Sequence, residues 1–136
     1  MDTALLDTDI LNEVLKQKNA HAVRHASDYL AQHGQFAISS MTLYEVLRGL
    51  KEKNATAQLV RFLAFCQNTL VLPVLDDILD CAADLWVTGR NQGMSSMDAD
   101  MLIAATALHH GRILVTGNTV HFAWVPGLRI LNWRDA

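Results

Sequence analysis

Apolar runs that stop abruptly on a polar residue or a proline set the strongest constraint on this chain. They are Ala4-Leu5-Leu6 before Asp7, Phe36-Ala37-Ile38 before Ser39, Leu70-Val71-Leu72 before Pro73, and Ile113-Leu114-Val115 before Thr116. Unalternated runs this short read as strands buried on both faces. Stretches of helical periodicity separate them, so the strands need crossover connections rather than hairpins and pair in parallel. The expected fold class is α/β with a mainly parallel sheet. The strand candidates are 4–6, 36–38, 70–73 and 112–116, with a possible fifth at 128–131.

Between them, Ile10, Leu11, Val14 and Leu15 follow helical spacing, and a second helix is expected over 20–32, stopped by His33-Gly34. Ser39 and Ser40 offer caps for a helix over 41–53, and Asn54-Ala55-Thr56 breaks it before another over 57–66. Asp76 and Asp77 sit where a helix N-terminus favours negative charge, ahead of a helical run over 78–87. A loop is expected over 90–97, then a strongly periodic helix over 98–108 capped by Asp98 and ended by His109-His110-Gly111.

No repeat, low-complexity stretch or linker divides the chain, which reads as a single domain over 1–136. Hydrophobic residues make up 51% and charged residues 18%, enough apolar material to fill a core. Cys66 and Cys81 lie in apolar surroundings without zinc spacing and read as reduced core thiols. Acids at Asp2, Asp7 and Asp9 interrupt any leader-like opening, and no apolar run is long enough to span a bilayer, so a cytoplasmic protein is expected. A net charge of −3 neither advertises nor excludes a polyanionic partner, because several acids could belong to one metal-binding site.

Parallel sheets bind ligands beyond the carboxyl ends of their strands, which directs attention to Asp7 and Thr116. Glu45 is a lone acid among Thr42, Leu43, Tyr44, Val46 and Leu47, and Asp100 shares a helix face with Ile103, Ala104 and Ala107. Asn118 follows the strand ending at Thr116. Buried carboxylates that converge are costly unless a cation joins them, and a hard divalent ion such as Mg²⁺ or Mn²⁺ takes oxygen ligands. Such an ion activates water and stabilises phosphoryl charge. Each residue keeps a plainer reading: Asp7 as a helix cap, Glu45 as an amphipathic surface residue, Asp9 as exposed, and Asp98 as a cap off the Asp100 face. His109-His110 reads as a helix C-cap, and His25 and His121 have no partner at metal-ligand spacing. Trp86, Trp124 and Trp133 read as core or interface residues.

Taken in order, these segments resemble the PIN-domain pattern of the VapC toxins. The matching blocks are Leu5-Leu6-Asp7-Thr8-Asp9-Ile10-Leu11, then Ile38 through Leu50 with Glu45 as its acid, then Asp100-Met101-Leu102-Ile103-Ala104-Ala105-Thr106-Ala107-Leu108, then Leu114-Val115-Thr116-Gly117-Asn118 followed by His121-Phe122. The resemblance covers essentially the whole chain and implies a three-layer sandwich with a four- to five-stranded sheet. It implies Asp7 and Asp100 as principal ligands of Mg²⁺ or Mn²⁺, Glu45 completing the acidic cluster, Asn118 in the catalytic set, and Thr8, Asp9, Asp98 and Thr116 around them. Asn118 stands where many relatives carry Asp and brings no charge.

The resemblance further implies an endoribonuclease, often acting on structured RNA such as tRNA, a cognate antitoxin and a homodimer. Arg48, Lys51, Lys53 and Arg90 are either phosphate contacts or solvated helix surface. A rival reading is a non-catalytic PIN-like module that binds RNA or protein, which Asn118 favours and the retained acids oppose. A phosphatase or DNA nuclease on the same acids is a third.

Overall fold

Period-two side-chain alternation in the strands divides the core into two layers. Strand β1 (Ala4–Leu6) sends Ala4 and Leu6 to one layer and Leu5 to the other. The same split holds in β2 (Ala37–Ser39), with Ile38 opposite Ala37, and in β4 (Ile113–Val115), with Val115 opposite Leu114. β3 spans Leu70–Leu72 and β5 spans Ile130–Leu131. The structure is a computed structural model describing residues 2–136; residue 1, where the expected single domain begins, lies outside the described residues.

Every strand pairing is parallel, as the intervening helices require. The ladders run in the order β1-β4-β5 and, separately, β2-β3, with β1 and β2 in contact. Leu5 pairs with Leu114 and Ile38 with Val71. Helices α1 (Thr8–Lys16), α2 (Ala20–His33), α3 (Ser40–Glu52) and α4 (Thr56–Cys66) supply Ile10, Leu11, Tyr29, Val46 and Phe62 to one layer. Helices α5 (Asp76–Asn91), α6 (Asp98–His109) and α7 (Thr119–Phe122) supply Ile78, Leu85, Met101, Ala104 and Phe122 to the other. The result is the expected layer of parallel strands between two helical layers, although the five strands pair as a three-stranded and a two-stranded ladder and not as one continuous sheet. Among the described residues no helix is long and apolar enough to cross a membrane, and Cys66 and Cys81 are both free.

Some local expectations are corrected. Helix α5 continues to Asn91, so Arg90 is helical and the loop begins two residues later than expected. The cause is tertiary: Gly89 is buried, and a Cβ there would lie 2.9 Å from both Ser96 Cβ and the Trp124 ring. This glycine permits close packing and does not break the helix. Asp98 is the first residue of α6 rather than its cap; Met97 precedes the helix and no side chain caps it. Helix α6 is also buried more widely than its expected face, since Met101 and residues 103–107 are all covered. The short helix α7 had no local signal.

Tyr29 links the helical layer to the sheet by accepting the Ala4 N–H at 2.9 Å in a buried setting. Tyr29→Phe leaves that donor unsatisfied and is expected to destabilise the protein by about 1–3 kcal/mol, readable as a lower urea midpoint with unchanged slope.

Candidate active site

The strand ends and three helices bring polar groups together. Asp7 follows β1 and is held there by its own N–H, which donates to the Val115 carbonyl at 2.9 Å. It is also the N-cap of α1, its Oδ1 accepting from Thr8 N at 2.8 Å. Its Oδ2 accepts from the Thr116 hydroxyl at 2.8 Å, and Thr116, fully buried at the end of β4, accepts in turn from Asn118 N at 3.0 Å. The cap and site readings of Asp7 are therefore both realised in one geometry: the cap uses Oδ1 and the β4 end uses Oδ2.

Glu45 reaches the site from α3. Thr8 Oγ1 donates to Glu45 Oε1 at 2.7 Å and contacts Thr42 Oγ1 at 3.2 Å. Asp100 comes from the first turn of α6, half-buried, with its Oδ2 3.4 Å from His121 Nδ1. The groups sense one another. Burial is the main cause that raises the Asp7 pKa to about 7; the Thr116 hydrogen bond opposes it, and the charges of Asp9 and Asp100 push the same way. Burial also raises Asp100, with His121 opposing and the charges of Glu45 and Asp9 adding.

Other expected residues lie further out. Asp9 is tied down by three groups: its Oδ1 accepts from Ile10 N at 2.8 Å, and its Oδ2 from Gly117 N at 2.9 Å and Arg134 Nη1 at 3.4 Å. Asp98 is exposed. The Asn118 side chain is exposed just before α7 and caps nothing there, while its carbonyl accepts from His121 N at 3.0 Å. Arg48 stacks over Tyr44 and Arg90 over Trp86, both on exposed surface, and Lys51 is exposed on α3. Residue-by-residue reasoning missed His121, whose partner Asp100 comes from another helix, and Arg134, which no local pattern marks.

The donor chemistry fits a hard divalent cation. Asp7, Asp100 and Glu45 offer carboxylate oxygens, and the burial that raises Asp7 is relieved when a cation replaces its proton. Among the described residues no three His, Cys, Asp or Glu side chains close into a ready ligand set. Mg²⁺ or Mn²⁺ would need only one or two of these carboxylates, with waters as the remaining ligands.

The parallel sheet with acids at its strand ends is matched by the PIN domain family model over residues 4–127. Ribonuclease VapC19 of Mycobacterium tuberculosis is 32% identical over 126 residues, covering 92% of this chain and 96% of the relative. The tRNA(fMet)-specific endonuclease VapC of Shigella flexneri is 31% identical over 136 residues, covering 95% and 96%. Among solved structures, a toxin-antitoxin complex from Klebsiella pneumoniae superposes with a TM-score of 0.70 at 29% identity, covering 96% of this chain and 98% of that one. The chain belongs to the PIN-domain family and, within it, to the VapC-type ribonucleases.

Proposed function

We propose that this chain is an Mg²⁺- or Mn²⁺-dependent endoribonuclease and the toxin of a toxin–antitoxin pair, hydrolysing RNA phosphodiester bonds. The observation that carries the reading is Asp7: a buried carboxylate at the end of β1, pushed to a pKa of about 7, beside the charges of Asp9 and Asp100. A site that only held the fold together would do better without such acids. Asp7 and Asp100 would hold the ion, with Glu45 completing the acidic set. When bound, the ion lowers the pKa of a coordinated water and offsets charge on the phosphoryl oxygens.

The protein groups have separate tasks. The Thr116 hydroxyl fixes the Asp7 carboxylate by donating to Oδ2. Thr8 orients Glu45 through Oε1, and His121 steadies Asp100. Thr116 in turn is fixed by the Asn118 N–H, so Asn118 acts through its backbone where its side chain brings no charge. No protein nucleophile is needed, because water attacks phosphorus. Arg48, Lys51 and Arg90 are exposed cations available to RNA phosphates.

The name of the Shigella relative supports tRNA as a substrate, and the Klebsiella complex supports a cognate antitoxin as partner. Exposed apolar side chains on α4 (Val60, Leu63) and α5 (Leu79, Val87) support surfaces covered by the antitoxin and by a second copy in a homodimer.

The exposed, uncharged Asn118 is the observation that favours the second reading, a non-catalytic module that binds RNA or protein. Incubating a total RNA pool with the protein, with and without Mn²⁺, separates the two, with Asp100→Asn run in parallel. Discrete metal-dependent products from wild type and not from the variant are expected. Equal cleavage by both would remove Asp100 from the mechanism. No cleavage, together with no Mn²⁺-dependent rise in melting temperature, would leave the binding module.

A further inference from the structure

One cation at the edge of the carboxylate site, Arg134, neither orients Asp7, Glu45 or Asp100 nor caps a helix. Arg134 Nη1 lies 3.4 Å from Asp9 Oδ2, and its Nε lies 3.5 Å from Glu13 Oε2. Asp9 is also held without it, because the Ile10 and Gly117 N–H groups each donate to one of its carboxylate oxygens. The Arg134 side chain is partly exposed, 38%, while the Asp9 and Glu13 side chains that face it are largely covered, so the pairs hold the guanidinium with one edge toward solvent. Among the described residues its Nη2 has no hydrogen-bond partner, so that donor remains open.

The seat of this guanidinium is built by the fold. Immediately before it, Trp133 is buried against Tyr29 and Phe36. Immediately after it, the Asp135 carbonyl oxygen is 2.9 Å from His25 Nε2, and the Arg134 N–H itself donates to Asn132 Oδ1 at 3.0 Å. Under the guanidinium lies Gly117, directly after Thr116, where any Cβ would run into Arg134. The segment is thus anchored on both sides of Arg134, and the sheet end is cleared to receive its head group.

A strand of RNA approaching Asp7, Asp9, Glu13, Glu45 and Asp100 meets a cluster of carboxylates that repels its phosphates. A fixed guanidinium with an open N–H edge offers what a phosphate needs, a planar donor array that stays charged at all working pH values. We propose that Arg134 is a phosphate-binding residue of this site: held by Asp9 and Glu13 over Gly117, it takes a backbone phosphate of the RNA strand beside the carboxylates. This rests on RNA being the ligand.

The test is fluorescence anisotropy of a short labelled oligouridylate in EDTA, where metal-dependent cleavage is off, across a range of salt concentrations. Arg134→Ala is expected to weaken binding roughly tenfold at low salt and to reduce the log–log salt slope by about 0.7, the value for one phosphate contact on a single strand. Arg134→Lys should restore the slope and only part of the affinity, and Gly117→Ala should resemble Arg134→Ala. Mn²⁺-induced stabilisation should persist in Arg134→Ala, because losing a neighbouring cation does not weaken cation binding. If the alanine variant melts early, Arg134→Gln, close in size but uncharged, decides by its slope. Wild-type affinity and slope in the uncharged variants would overturn the assignment alone. No salt-dependent binding by wild type would overturn the assignment and the RNA reading together.

Discussion

Asp7→Asn is expected to abolish RNA cleavage and, at the same time, to stabilise the metal-free protein. The activity loss should be on the order of a thousandfold, the scale seen when one preorganised electrostatic contributor is removed from an active site. The stability gain follows from burial. Asp7 is 4% exposed and its pKa rises from 3.8 to about 7, so above neutral pH the fold carries a charged carboxylate that water would solvate better. At about 1.4 kcal/mol per pKa unit, that penalty is roughly 4 kcal/mol.

Asparagine removes the charge and keeps the Thr8 bond, while the Thr116 contact survives only with its direction reversed, which offsets part of the gain. Its carbonyl accepts from Thr8 N, and its amide faces the Thr116 hydroxyl, which rotates to accept. Cleavage assays and thermal melts in EDTA at pH 8 check the pair of effects. A variant that is inactive and less stable than wild type would mean Asp7 serves the fold as a charged cap, and the catalytic reading would lose its main support.

The second large effect is a stability profile with an unusual slope. In metal-free protein, folding stability should fall as pH rises from about 4 to about 7, then level off. The folded state keeps the Asp7 proton after the unfolded chain has lost its own, so between the two pKa values the folded state binds more protons, and raising pH works against it. Asp100, also raised by burial, adds in the same direction. Saturating Mn²⁺ should cancel the loss, giving a metal-induced rise in melting temperature that is larger at pH 8 than at pH 5. Asp7→Asn should flatten most of the slope. Metal-free melts that are level or rising across that window would show that Asp7 does not carry the charge that makes the site require a cation.

Much of the fold was legible because its signals are local. Each apolar run that stops on a polar residue became a parallel strand, and the strand ends placed Asp7 and Thr116 where an α/β sheet binds ligands. Gly34 ended α2 as expected, and His110 terminates α6. Errors arose where packing outweighed local preference. A loop was expected from Arg90, yet buried Gly89 packs closely under the Trp124 ring and α5 runs on to Asn91. Asp98 had the composition of a cap, but the helix begins on it.

By itself, the sequence determined the fold class, the order of the strands and of the six longer helices, and the positions of Asp7, Glu45 and Asp100 near the strand ends. Periodicity and chain order are properties of neighbouring residues, so they survive without coordinates. Only the tertiary structure decided which groups meet. It joined Thr8 to Glu45 across 37 positions, Asp7 to Thr116 across 109, and Arg134 to Asp9 across 125. It also gave His121 to Asp100 and left the Asn118 side chain exposed. Electrostatic and hydrogen-bond energies depend on distance in space and on burial. Neither is written in the spacing of residues along the chain.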